Sequence, residues 1–442
     1  VITSRRFGIA LGVIALVGLG VRVWFTLDVV PDTPLPGDPR TYHLLGTNLA
    51  DGLGYVRPAE INPPAAALTP TGEFPPGLPA IVALATKLGA RAPERQALLT
   101  CLVGAGTVML VGLLGRRVGG DAVGLVAASI GAVHPLFFQP DGVLMSESPY
   151  FLLVSGILLA ALGALDDPGR WWRWSILGLV IGFATLTRPE ALLFVPLLVI
   201  PLGLARGRCA RARAVAVSVA LGATAVVVSP WILHVSATFD RFVPVSTNAG
   251  VALLGANCDE TYRGRLLGSW EFGCIAQVAA RHPERSRIRA GGPTEAEVYN
   301  FWRGEGLGYL VDHLDELPKV IPVRVLRTFS LWNPRAQIDF DVPEGRNRAF
   351  QTIGYWFGLA LLPFAVAGAT VAWRVRHAVA AVLLVPVAVA VLDSALLYGS
   401  TKMRAVAEPS LAVLAAVGIV GLVEHRSRAS DPRTLTASRS GE

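Results

Sequence analysis

The sequence predicts an all-α integral membrane protein: a bundle of about ten transmembrane helices, with surface helices and one large loop on a single face. Three observations predict it. The chain is 52% hydrophobic and only 16% charged, where a soluble protein carries about a quarter charged residues. Apolar runs repeatedly reach the roughly 20 residues that cross a hydrocarbon core. Arginine pairs in most of the short loops between those runs, and at the chain's two ends, fall on one side. The net charge of +7 therefore reports orientation and gives no sign of a nucleic-acid partner.

The expected spans are 7–26, 96–115, 121–139, 147–165, 174–187, 190–205, 214–234, 349–373, 378–398 and 405–423. The first follows Arg5 and Arg6, and no small-residue cleavage pattern follows it, so it reads as an uncleaved helix. The stretch 174–205 is broken by Thr187-Arg188-Pro189-Glu190, which reads as a turn at a membrane face. With that turn, Arg5/Arg6, Arg116/Arg117, Arg170/Arg173, Arg206/Arg208/Arg211/Arg213, Arg374/Arg376 and Arg426/Arg428 share one side. The positive-inside rule makes that side cytoplasmic, with both termini on it. Trp171, Trp172 and Trp174 read as an interfacial aromatic belt.

The opposite face carries two loops. In the first, 27–95, Pro39–Asp51 reads as a surface helix with Asp38 as its cap and Tyr42, Leu45 and Leu49 on one face. The run after Pro75-Pro76 is too short to span and reads as an interfacial or re-entrant helix. The second loop, 235–348, is expected to fold outside the membrane, with helices over Glu295–Leu310 and Leu317–Trp332. Arg324 and Arg327 would mark the latter as amphipathic along the bilayer surface. The chain thus divides into a membrane module 1–234, the loop segment 235–348, a three-helix membrane module 349–424, and a polar tail 425–442 expected to be disordered. Cys101 reads as a core residue and Cys209 falls in the arginine-rich loop; Cys258 and Cys274 share the second loop and are disulfide candidates.

Candidate chemistry gathers on the loop face. Asp38, Arg40, Tyr42 and His43 open the first loop helix; Asp141 and Glu147 flank a helix start; Arg188 and Glu190 sit in one short turn, and Lys402, Arg404 and Glu408 in another. Arg188, Lys402 and Arg404 break the arginine pattern, and such charges at a membrane boundary are functional candidates. Arginine grips phosphate bidentately and lysine as a point charge, so these three suit the phosphate of a lipid carrier. Asp38 would take a proton from an acceptor hydroxyl, and Glu147 would orient the acceptor or support Asp38. Both also read as helix N-terminal acids without chemistry. No Asp-x-Asp pair lies near Asp38. No cofactor is demanded; Asp38 and Glu147 are the oxygen donors that would hold a divalent cation such as Mg²⁺ or Mn²⁺.

Several motifs in order resemble the bacterial GT-C-type glycosyltransferases, the group of protein O-mannosyltransferases and lipid A aminoarabinose transferases. They are Asp38-Pro39-Arg40-Thr41-Tyr42-His43; Phe74-Pro75-Pro76-Gly77-Leu78-Pro79; His134-Pro135 with Leu144-Met145-Ser146-Glu147; Leu186-Thr187-Arg188-Pro189-Glu190; and Arg404 with Glu408-Pro409. The resemblance implies a GT-C-like fold in a bacterial plasma membrane and an extracytoplasmic active site. It also implies a polyprenyl-phosphate-linked monosaccharide donor and transfer to a glycan, lipid or protein hydroxyl. The family's loop acid falls on Asp38 and its second acid on Glu147. Thr401-Lys402-Met403-Arg404 departs from the aromatic-rich family pattern at that position. A transporter or lipid flippase is the rival class; it would place polar groups at mid-span, where this chain is overwhelmingly apolar.

Overall fold

The computed structural model describes residues 3–30, 35, 37–58, 68–205, 209–288 and 292–429. Residues 430–442 of the tail, and Arg206 and Arg208 of the arginine run, lie outside the described residues, as do the side chains of 426–429.

Helix α1 (Ser4–Trp24) ends in a π turn, Phe25–Val29. Helix α2 (Gly37–Ala50), an antiparallel hairpin of β1 (Val56–Pro58) and β2 (Leu68–Pro70), and α3 (Gly77–Lys87) make up the first loop. The bundle continues with α4 (Pro93–Gly119), α5 (Asp121–Val133), α6 (Pro135–Gly142), α7 (Glu147–Asp166), α8 (Trp171–Thr185) and α9 (Ala210–Thr238). The second loop holds α10 (Ala249–Ala256), α11 (Glu295–Asp312), α12 (Leu317–Thr328) and α13 (Pro334–Asp341), and α14 (Arg348–Val375), α15 (His377–Leu396) and α16 (Glu408–Ala429) close the chain.

The architecture is helical and polytopic, but ten full spans are not what forms. Among the described residues seven helices are long and apolar enough to cross a bilayer, and eight if α5 and α6, bent by 48° at His134-Pro135, count as one. Two of the expected spans fall short. Helix α8 has 15 residues, about 22 Å of rise. It still runs the length of α7: Arg173 at its start bonds the Gly163 carbonyl near the end of α7, and Arg188 beyond its end meets Glu147 at the start of α7. The other, Pro189–Leu204, is a chain of 3-10, π and α turns. Pro189, Pro196 and Pro201 remove three backbone donors there, which breaks a regular α ladder.

Close helix crossings rest on small residues. Gly368 of α14 lies against the Leu414 carbonyl of α16, and Gly418 of α16 against the Phe364 carbonyl; a Cβ at either would overlap backbone. Without a hydrophobic drive between helices in lipid, such contact is what holds them. Arg22 and Asp141 form a fully enclosed ion pair at 2.7 Å joining α1 to α6, with Arg22 also donating to the Gly131 and Ala132 carbonyls.

Three expectations are corrected. Trp174 is buried, unlike exposed Trp171 and Trp172; its indole N–H donates to the Pro168 carbonyl, so the belt has two members. Arg324 and Arg327 do not face a bilayer surface. Both are buried, Arg324 donating to the Ala256 and Ala395 carbonyls and Arg327 to those of Leu267 and Arg265, so they satisfy orphaned loop carbonyls. The hairpin in the first loop adds a small β element that apolar periodicity did not predict.

Candidate active site

The first loop is anchored before it contributes chemistry. Glu295, at the start of α11, accepts from the Thr71 hydroxyl, the Gly72 N–H, the Thr247 hydroxyl and Arg57. Arg57 also pairs with Glu73 at 2.7 Å. This buried hub ties the hairpin to the second loop. Glu73 follows the hairpin and lines a cavity of about 450 Å³, within the size range of small-molecule sites. Burial is the main reason its carboxyl is pushed up to about 7, with Glu295 and Asp38 adding to the rise against the pull of Arg57.

Helix α2 sets two further groups on this cavity. Asp38 and Tyr42 are one helical turn apart and both line it. Arg40 and His43 do not. At about 100° per residue, Arg40 lies about 200° around from Asp38; it is exposed. His43 turns to α4, where its Nδ1 meets Gln96 Oε1 at 2.7 Å.

Five other segments complete the site. Ser146, Arg188 and Glu190, Asp393 with Leu397 and Tyr398, and Lys402 all line the cavity; Leu192, Leu193, Phe74 and Ala252 make it partly apolar. A left-handed turn at Leu144 (φ 55°) precedes α7 and turns the chain into Glu147. Glu147 is 1% exposed and lies behind the cavity wall, held by Arg346 at 2.8 Å and Arg188 at 3.6 Å. Arg188 Nε bonds Glu190 at 2.5 Å. Burial opposes the Arg188 charge, but Glu190 and then Glu147 outweigh it, so the guanidinium holds its proton more tightly than usual.

Lys402 bridges two acids. Its Nζ is 3.0 Å from Asp38 Oδ2 and also in contact with Glu344. The lysine is buried while Asp38 is about one-third exposed to the cavity. Beneath this turn Asp341 accepts from Gln337, Gln351 and Thr401, and burial raises its carboxyl.

Arg404 goes elsewhere. Two residues beyond Lys402 on a 3-10 turn, it points to the other side, pairs with Glu408 at 2.7 Å, and is absent from the cavity lining. The expected phosphate trio is thus split. Arg346, Glu344 and Glu73 are the site groups that sequence reasoning missed. Arg346 lay in view, in Pro343-Glu344-Gly345-Arg346, a charged loop end just before a span.

A metal bridging Asp38 and Glu147 would have to displace Lys402 or Arg346. Among the described residues one cluster has metal-ligand spacing, Cys258, Glu260 and Cys274; Cys258 and Cys274 are joined as a disulfide. Cys101 is buried and Cys209 exposed, both as free thiols.

A sequence profile of the family described as dolichyl-phosphate-mannose-protein mannosyltransferase matches residues 73–234. No curated protein matches the chain in sequence. Among solved structures, the oligosaccharyltransferase AglB of Archaeoglobus fulgidus, in complex with an inhibitory peptide and a dolichol-phosphate, superposes with a TM-score of 0.55 at 16% identity, over 96% of this chain and 51% of AglB. The apo form of the Archaeoglobus fulgidus oligosaccharyltransferase gives 0.56 at 15% identity, over 97% and 52%. ArnT of Cupriavidus metallidurans bound to undecaprenyl phosphate gives 0.46 at 13% identity, over 94% and 78%. The AglB likeness shows the fold, a multi-pass helical membrane bundle in keeping with a GT-C-like architecture. This chain spans about half the length of AglB.

Proposed function

We propose that this chain is a membrane glycosyltransferase that moves one sugar from a polyprenyl-phosphate donor to an acceptor hydroxyl on the extracytoplasmic face of a bacterial plasma membrane. The observation that carries the reading is the meeting of Asp38 with Lys402 and Arg188 around one cavity lined by both charged and apolar side chains. The family profile over 73–234 and the AglB-like fold support the same class. The arginine pattern supports the orientation, with both termini cytoplasmic.

In this mechanism the donor phosphate enters beside Lys402 and Arg188. Lys402 exchanges Asp38 for a phosphate oxygen, which frees the Asp38 carboxylate. Asp38 then accepts the acceptor's hydroxyl proton as that oxygen attacks the anomeric carbon. The bond from the anomeric carbon to the phosphate oxygen breaks, and polyprenyl phosphate leaves with the electron pair, its charge held by Arg188 and Lys402. One displacement inverts the anomeric centre. Glu147, clamped by Arg346, fixes Arg188 in place. Ser246 and Asn248, on the second-loop wall, would meet the acceptor, and that loop would select whether it is a glycan, lipid or protein.

The test is transfer from a labelled polyprenyl-phosphate sugar in membranes. Asp38→Asn should lower kcat by about 10²- to 10⁴-fold; full activity in that variant would remove Asp38 from its role. Lipid flipping by reconstituted protein without any sugar transfer would favour the transporter class instead.

A further inference from the structure

A second polar pocket lies on the far side of the Met403–Ala407 turn. It is lined by His134 and Phe137 at the α5–α6 bend, Gly358 and Leu361 of α14, and Arg404 and Glu408. His134, Arg404 and Glu408 are 2%, 3% and 4% exposed. The Leu136 backbone N–H donates to His134 Nδ1 at 3.2 Å, so the ring proton sits on Nε2. Arg404 spends Nε on Glu408 and Nη1 on Ser330, and its Nη2 is buried without a partner. Both free donors face one gap, left by the missing side chain of Gly358. A Cβ there would stand 3.0 Å from Arg404 Nη2 and 3.5 Å from His134 Nε2.

An orphaned guanidinium donor inside a membrane protein calls for an acceptor. Two features choose it. The space is about 20 Å³, enough for a single oxygen and too little for a tetrahedral phosphate. The Arg404 charge is cancelled by Glu408 at 2.7 Å, so the gap holds two donors but no net charge. A neutral carbonyl fits and a phosphate does not. The remaining lining, Ile130, Leu362, Ala365, Leu411 and Ala412, is apolar, so the group whose oxygen enters the gap brings no charge with it.

We infer that this pocket binds a membrane glycerophospholipid by an ester carbonyl, held between His134 Nε2–H and Arg404 Nη2–H. The site is separate from the cavity around Asp38. A polyprenyl phosphate, which has no carbonyl, does not occupy it. The inference does not depend on the proposed transferase activity.

The experiment compares diacyl phosphatidylcholine with its dialkyl-ether analogue, which keeps the headgroup and chains but lacks both carbonyls. Delipidated full-length protein is exposed to each, and retained lipid is counted by native mass spectrometry. The wild type should retain the diacyl lipid at least about threefold better, the value of one hydrogen bond. Gly358→Ala, which fills the gap and keeps both donors, should bring the ratio to one. His134→Asn is the second variant: asparagine preserves the helix cap but is too short to reach the gap, and it should also equalise the two lipids. Equal retention by the wild type, as expected if the gap holds only water, overturns the inference. So does a preference that survives in whichever variant folds.

Discussion

Arg346→Gln tests whether the second loop is part of the site. Arg346 and Glu147 are 3% and 1% exposed and 2.8 Å apart. At an effective dielectric constant of about 20, that attraction is about 6 kcal/mol, and the Arg188–Glu147 attraction at 3.6 Å is about 5 kcal/mol. Breaking a buried pair by removing one partner costs about 3–5 kcal/mol, because the other charge is left uncompensated. Here Arg188 remains to neutralise Glu147 in part, so the expected loss is at the low end, about 3 kcal/mol. Glu147→Gln alone should cost a similar amount, since it strands Arg346. The double variant leaves two neutral amides and should recover at least half of the summed losses. The assay is SDS-titrated unfolding of wild type, both single variants and the double variant in mixed micelles, read as a double-mutant cycle. A coupling energy below about 0.5 kcal/mol would mean the two side chains act independently, and the placement of Arg346 would be refuted.

Other outcomes follow from the same geometry. Lys402→Gln should raise KM for the polyprenyl-phosphate donor about 10- to 100-fold, the worth of one charge-assisted hydrogen bond, and a kinetic comparison showing unchanged KM would detach Lys402 from the phosphate. Glu73 titrates at about 7 when folded against 4.5 for the unperturbed group. Between those values the folded state holds a proton that the unfolded chain has lost, so stability should fall as pH rises through that window, by up to about 3 kcal/mol. Glu73→Gln should flatten that slope, and identical slopes in the two proteins, measured by unfolding at pH 5 to 8, would reject the assignment.

Much of the bundle was legible because lipid leaves few options: apolar length and arginine placement mark each crossing. The failures were local. Prolines at 189, 196 and 201 are visible in the sequence, but apolar length does not register the three backbone donors they remove from one span. Arg40 and His43 are close to Asp38 in sequence, yet helical periodicity sets them on other faces. Lys402 and Arg404 are likewise close in sequence, and a tight turn sends them to opposite sides. Glu73, Glu344 and Arg346 are a different case. Glu73 lines the cavity, while Glu344 pairs with Lys402 and Arg346 with Glu147 beside it; loop packing over long separations brings them there, and no periodicity connects them to it. Arg324 and Arg327 looked like a surface stripe because sequence does not show which loop carbonyls need donors.

Asp38 is separated from Lys402 by 364 residues, and Glu147 from Arg346 by 199. In a chain made from its N-terminus, the acids are therefore laid down long before their countercharges exist. A nascent protein that stops short of α15 would carry Asp38 and Glu344 with no lysine between them. Forms of this polypeptide shortened to that point are thus expected to insert and pack as helices yet fail to assemble a working centre, which becomes whole only once Lys402 has been made.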